Sequence, residues 1–364
     1  MTQLPPIPND FSDHKYAVKH GVPLWLRVYP SSGGSSGSRT GSLTLAEVKS
    51  GVSAPWLLWV HGGAYCSGQH YQLRTWLLPL LHPLGVHVVS VAHRFIPQVS
   101  MEDMLQDCLD AVAWCKKNLA SVLDPRGRCD VERFGLGGDS AGGGLAALLA
   151  HRLQAARVLI NVYGVTDLVL QQKLYDAQPP AAQQWKGDVS EEEMAEIIAD
   201  HDPSHAVTAT TNLWNLASLT PSTISQGPGA VARGLKDVWK VSDEEWMYND
   251  RVKHQWDVKS YVGHQKLMVT LPLRLTPDMT ASEREEKMKA YSPNYLLATN
   301  PTQSKNMAFE LRKKGVEVEE LYCEGVDHGW DNIYTSPADQ GWAEFIEPIG
   351  RLVKRHLCSD GKVV

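Results

Sequence analysis

No apolar run in this 364-residue sequence approaches the ~20 residues of a membrane-spanning helix. The opening residues, MTQLPPIPNDFSDHKY, lack a basic stretch followed by an apolar one, so a secretory leader of the usual form is not expected. There is no basic excess either. Lys and Arg number 35 against 41 Asp and Glu, for a net charge of -6, which leaves nothing to neutralise nucleic-acid phosphates or anionic lipid. The six cysteines, Cys66, Cys108, Cys115, Cys129, Cys323 and Cys358, lack metal-ligand spacing, and no Asn-x-Ser/Thr acceptor free of proline occurs. Neither a disulfide framework nor a glycosylated surface is expected, and a soluble, cytoplasmic protein is.

The chain does hold enough apolar material for a sizeable core, 43% of the residues. Short β-branched runs alternate with helical patterns, the rhythm of parallel strands joined by crossover helices, and predict an α/β fold. Strands are predicted over Leu24–Tyr29, Trp56–Val60, Val86–Ala92, Arg133–Gly137, Val158–Tyr163 and Val316–Cys323. Helices are predicted over Met101–Leu119, Ala141–Leu153, Ser304–Lys314 and Ala338–His356.

Two stretches break the rhythm. Residues 31–53 have the Gly/Ser composition of a surface loop. Residues 168–290 form a long insertion with an acidic helix at Ser190–Asp200, turns at Gln226–Gly229, and Trp185, Trp214, Trp239, Trp246 and Trp256. Each tryptophan taken singly suits core packing, and together they suit a mainly helical cap over the sheet. The organisation expected is a core in two parts, 1–167 and 291–364, around a cap at 168–290. His201 and His205 stand at i, i+4 spacing, but no H-E-x-x-H arrangement accompanies them and Pro203 interrupts the helix. No metal site is expected.

Gly138-Asp139-Ser140-Ala141-Gly142 is a G-x-S-x-G sequence placed directly between a predicted strand and a predicted helix. A nucleophilic serine needs that placement, since flanking glycines permit the sharp turn that exposes its hydroxyl at the sheet's C-terminal edge. The motif alone also fits an ordinary glycine-rich βα turn. Upstream, the strand residues Leu57–Val60 run into His61-Gly62-Gly63-Ala64, whose amides can approach a carbonyl oxygen unobstructed. Downstream, His328 lies in the loop Glu324–Gly329, after the serine and before the last predicted helix, the chain order a catalytic base requires.

With HGGA at His61–Ala64, GDSAGG at Gly138–Gly143 and G-x-x-H-G at Gly325–Gly329, the sequence resembles the hormone-sensitive-lipase-like branch of the α/β-hydrolases. Val91-Ala92-His93-Arg94-Phe95-Ile96-Pro97 is similar to that branch's V-x-Y-R-x-x-P segment, and the likeness spans residues 50–167 and 291–350. The resemblance implies an α/β-hydrolase fold, a mostly parallel sheet flanked by helices, and hydrolysis of a small-molecule carboxylic ester. It implies that Ser140 attacks the carbonyl, that His328 relays the proton, that amides of Gly62, Gly63 and Ala141 hold the oxyanion, and that no cofactor is needed.

One part of the pattern is missing. The family places its catalytic aspartate after a penultimate strand, between a turn matched here by Tyr291-Ser292-Pro293 and a helix matched here by Ser304–Leu311. Only residues 298–303 lie between, too few for a strand of ~5 residues, its loop and an acid. Asp167, four residues past a predicted strand, is the foremost replacement, ahead of Asp278 and Asp327, but the larger expectation is that no acid is properly placed. Without that segment Val158–Tyr163 must either pair directly with Val316–Cys323 or face a gap. The expectation is a weak esterase, with a non-catalytic ligand-binding protein or an amidase or peptidase of the same fold as alternatives.

Overall fold

Strand β3 (Ala54–Val60) shows why the sheet is central: Trp56, Leu58 and Val60 pack into one apolar cluster, Leu57 and Trp59 into another on the opposite face. A strand apolar on both faces has to be covered on both, which gives three layers. The computed structural model describes residues 8–31, 53–71, 73–123, 129–179, 185, 187–210, 228–246, 250–297, 303–323 and 326–359. Most of the Gly/Ser-rich stretch, Trp214, residues 226–227 and the junction 298–302 lie outside them.

Around β3, the strands β1 (Ser12–Lys19), β2 (Val22–Tyr29), β4 (His87–Val91), β5 (Cys129–Asp139) and β6 (Leu159–Val162) form one sheet in the order β1-β2-β4-β3-β5-β6. The ladder from β4 through β3 and β5 to β6 is parallel, and β1 and β2 extend it antiparallel. Helices α1 (Met101–Leu123) and α2 (Ala141–Leu153) cover one face. Ser100 and Asp103 cap α1 reciprocally, Asp103 N–H donating to Ser100 Oγ and Ser100 N–H to Asp103 Oδ2. On the other face Trp76, Leu77, Trp342 and Leu357 pack against Leu57 and Trp59.

The predicted strands from Leu24 to Tyr163 are all found within a residue or two, except that β5 begins four residues early, and β1 is an addition to them. Val316–Cys323 is not a strand. It is irregular, with Val316 46% and Tyr322 47% exposed, and it is held by Glu317 to Arg355 and His356 and by Glu320 to Arg312. Its alternation of Val and Glu reads as a half-buried strand, but β6 ends the sheet and no neighbouring edge reaches it. Neither alternative holds, since both require a second strand: the sheet ends at β6. The continuous helix expected over Ala338–His356 is also broken: Gly341, at φ 91, caps a short turn, a new helix starts at Glu347 with Pro348 in its first turn, and a π-turn follows.

Within 168–290 the described elements are helical: α3 (Leu168–Ala177), α4 (Glu191–Ala199), α5 (Pro228–Trp239), α6 (Asp250–His264) and α7 (Ala281–Ala290). A last long helix, α8, spans Gln303–Lys313. This stretch bonds to loops leaving the C-terminal ends of β3 and β4: Phe95 N–H donates to Val207 O, Thr210 N–H to Gly68 O, and Gln255 Nε2 to Ile96 O. A second attachment lies on the antiparallel side. Arg27 of β2, wholly buried, holds both oxygens of Asp13 and donates to Trp239 O at 2.7 Å and Lys240 O at 3.4 Å. Among the described residues no helix is long and apolar enough to cross a membrane.

Burial holds the imidazoles of His61, His87 and His93 neutral, lowering their pKa values to about 4, 4 and 3, with His61 adding to the effect at His93. The unfolded chain takes up these protons near pH 6.5 and the folded chain does not, so stability is full above 6.5 and falls as the pH drops. His70 and Glu245 form a buried pair whose shifts oppose and offset each other over the same range. Stability from urea titrations is expected to fall by about 3 kcal/mol between pH 6 and pH 5; a flat profile would show that these imidazoles are protonated in the folded state.

Candidate active site

At the end of β5 the chain turns so tightly that side chains have no room. A Cβ on Gly138 would lie 2.4 Å from Gly142 O, and one on Gly142 2.2 Å from Val60 O, so two glycines let the elbow press against β3. Between them Ser140 is held at φ 52, ψ -124, a conformation that costs ~1–3 kcal/mol. It is kept there by its N–H donating to Val162 O at 2.9 Å and its carbonyl accepting from Gly144 N–H at 3.2 Å. Helix α2 starts at the next residue, its N-terminus beside the serine.

Gly62 abuts this elbow: a Cβ there would lie 3.0 Å from Ser140 Cβ. The turn is fixed from below, where Gly63 O accepts from the amides of Cys66 and Ser67 and from Ser67 Oγ. No described group accepts from the Gly62, Gly63 or Ala141 amides. His61, the first residue of that motif, is not available for proton transfer. It is buried, bonds Gly62 O through Nδ1 at 2.9 Å, and stacks on His93 at 4.9 Å.

His328 stands on the neighbouring side, its ring 4.4 Å from that of Tyr163, the residue after β6. Its pKa lies below the ordinary histidine value, chiefly through desolvation and next through Arg74; Asp139 and Asp331 act in the opposite sense, and Lys259 adds to the lowering. Beneath the ring is a buried polar network. Asp139 accepts from Trp59 Nε1 at 3.2 Å and from Arg74 Nη2. Asp331 accepts from Tyr163 Oη and Trp76 Nε1, both at 2.8 Å, with Arg74 Nη1 at 3.7 Å. Two carboxylates and one guanidinium leave a net negative charge under the imidazole. Among the described residues no hydrogen bond joins Ser140 or either carboxylate to His328.

Asp167 is not brought to His328. It is buried as the N-cap of α3, its Oδ1 accepting from Leu170 N–H at 2.8 Å, while its neighbours bond Ser292 and Asn294. Its charge reaches Tyr295 rather than the imidazole. A short polar side chain before a helix is a cap by default, and that role prevails over the one expected from the position after β6. Asp278 and Asp327 are exposed. The carboxylates nearest His328 in effect, Asp139 and Asp331, are not singled out by the sequence: one is the variable residue of G-x-S-x-G, the other falls three residues after the histidine. Arg74, which joins them, carries no signal in the sequence.

As for metals, Asp13, His70 and Glu245 present ligand atoms within 4.8 Å of one another, but Arg27 already holds both Asp13 oxygens, so the group closes as a salt-bridge cluster. The His201/His205 spacing is used otherwise, His205 bonding Asp200 at 3.0 Å.

Residues 57–265, covering the turn at His61, the elbow and most of the 168–290 stretch, match the sequence profile of the alpha/beta hydrolase fold family. The chain belongs to this family. Among curated members, an ethyl acetate hydrolase of Pseudomonas putida is 34% identical over 117 residues, 30% of this chain and 35% of that protein. Probable carboxylesterase 6 of Arabidopsis thaliana is 30% identical over 133 residues, 36% of this chain and 35% of that protein. The chain thus spans about a third of the length of these two relatives. Among solved structures, the metagenomic carboxylesterase EstE1 aligns with 98% of this chain and 91% of its own at 16% identity, with a TM-score of 0.45.

Arg74 is the shared partner of two buried carboxylates. Arg74→Met is expected to destabilise the fold by about 3–5 kcal/mol, because it leaves Asp139 and Asp331 uncompensated. Loss of the Asp167 cap in Asp167→Ala should cost only about 1 kcal/mol. Urea midpoints of the two variants check the order.

Proposed function

We propose that this hydrolase-fold chain cleaves carboxylic esters of small molecules through Ser140, with its catalytic power reduced by the missing strand. The observation that carries the reading is the strained Ser140 at a helix N-terminus, facing Gly62, its amide bonded to Val162 O next to the Tyr163 on which His328 packs. Ser140 Oγ attacks the carbonyl carbon while His328 takes its proton. The amides of Gly62, Gly63 and Ala141 hold the oxyanion. His328 returns the proton to the departing alcohol, and water then releases the acid from the acyl-serine by the same steps in reverse order. The residues 168–290 serve as the cap, on the support of their bonds to the loops after β3 and β4. Six unpaired thiols, three of them buried, support a reducing, cytoplasmic setting.

The acid of this triad is replaced by charge alone. Asp139 and Asp331 favour the imidazolium but make no hydrogen bond that would fix the tautomer of His328. In a triad that orienting bond is worth ~10⁴ in rate, about 5 kcal/mol. The same lack favours a second reading, a hydrolase fold that binds a ligand and does not turn it over. Fluorophosphonate labelling separates the two, because only an activated serine reacts rapidly.

Ser140→Ala is expected to abolish both labelling and p-nitrophenyl acetate hydrolysis; hydrolysis surviving in the variant would refute the assignment. The acid limb of kcat/KM should fall below pH 6.5, since His328 is held below its ordinary value. Asp331→Asn removes a charge that favours the imidazolium, so the limb should move further to acid. Asp167→Asn should leave it in place.

A further inference from the structure

Tyr163 directly follows β6 and, at φ 41, holds a backbone conformation that bulky residues rarely adopt and that costs ~1–3 kcal/mol. Glycine or asparagine would sit there more easily, so local geometry alone does not call for a tyrosine. The strain is imposed from the elbow. Val162 O accepts from Ser140 N–H at 2.9 Å, Gly164 N–H donates to Asn161 Oδ1 at 2.8 Å, and a Cβ on Gly164 would lie 2.7 Å from Gly143 C. The chain on either side of Tyr163 is therefore pressed against Ser140 and the first turn of α2. From this anchored point the side chain reaches the turn that carries the histidine. Its ring lies 4.4 Å from the His328 ring, and its hydroxyl donates to Asp331 Oδ1 at 2.8 Å. His328 and Asp331 stand three residues apart around Gly329, at φ 86, where Asn332 N–H donates to Gly329 O at 3.2 Å, so one tyrosine grips both sides of a single tight turn. Thr75 and Trp76, from the chain after β3, hold the same turn through Asn332 O, Tyr334 O and Asp331. Tyr163 is the side chain that joins it to the strand end bonded to Ser140. His328 itself is exposed, and among the described residues it makes no hydrogen bond or ion pair and packs on no other aromatic ring.

We infer that Tyr163 is the positioning residue for the general base, tying the turn that carries His328 to the strand end that holds the Ser140 amide. This rests on the reading of Ser140 as nucleophile and His328 as base. A hydrogen-bonding acid sets both the place and the tautomer of a catalytic histidine. A ring contact sets the place and leaves the tautomer free, so Tyr163 performs one half of the task. It exchanges no proton in the reaction, because its hydroxyl is committed to Asp331. Its effect falls on the chemical step rather than on substrate binding.

The test reads hydrolysis of p-nitrophenyl acetate. Tyr163→Leu should lower kcat by ~10–100-fold with KM close to that of the wild type, and Tyr163→Phe, which keeps the ring and gives up the bond to Asp331, should recover most of the loss. Tyr163→Asn suits the positive φ, so misfolding is not expected of it, and a loss of kcat equal to that of Tyr163→Leu separates the role of the side chain from the strain. A wild-type kcat in Tyr163→Asn, or a loss carried by KM, would overturn the inference. A second arm needs no turnover. In Ser140→Ala the carbon-bound ring protons of His328, identified by their loss on adding His328→Gln, should carry the ring-current shift of Tyr163 in NMR spectra. Adding Tyr163→Phe should keep that shift, and adding Tyr163→Asn should remove it. Shifts indifferent to Tyr163→Asn refute the placement even if Ser140 is the nucleophile, whereas shifts that follow the ring uphold it even if Ser140 proves not to be.

Discussion

The contact between the β5 elbow and the end of β3 is the constraint on which the rest depends. Gly138 and Gly142 bring the chain within reach of Val60 O and His61 O, closer than any side chain allows. That approach forces Ser140 into a left-handed conformation, aims the first turn of α2 at the same point, and sets Gly62 against the serine. The remaining parts of the site are placed relative to this fixed point. Tyr163 leaves β6 beside it, His328 rests on Tyr163, and Asp139, the residue before the serine, points down into the network that also holds Asp331.

The edge of the sheet at β6 acts on the site from outside that fixed point. Ser140 and the Gly62–Gly63 turn are set by β3, β5 and α2. The histidine depends on the chain beyond β6, and there the sheet stops. His328 is consequently held by one aromatic contact and by the field of two carboxylates that are themselves bonded to Trp59, Trp76, Tyr163 and Arg74. A side chain placed by packing and field keeps its neighbourhood and loses its direction, which is the property that a hydrogen-bonding acid supplies.

Much of this is legible in the sequence where the code is local. The strand LLWV, the G-x-S-x-G turn and the helix after it are specified by residues adjacent to one another, and the structure matches them closely. Val316–Cys323 misleads because alternation reports a side-chain pattern and not the presence of a neighbouring edge. Asp167 misleads for a similar reason: its position after a strand is equally the position before a helix, and capping α3 is the local demand. The network under His328 is illegible because its members, at positions 59, 74, 76, 139, 163 and 331, meet only through the fold.

The anchoring of the insertion to β2 has a mechanical consequence. Arg27 is wholly buried and its donors are committed to Asp13 and to the carbonyls of Tyr71, Trp239 and Lys240, so withdrawing the end of α5 would leave buried guanidinium donors without acceptors. That corner is the costlier of the two attachments to break, since the other rests on single bonds between neutral groups such as Gln255 to Ile96 and Phe95 to Val207.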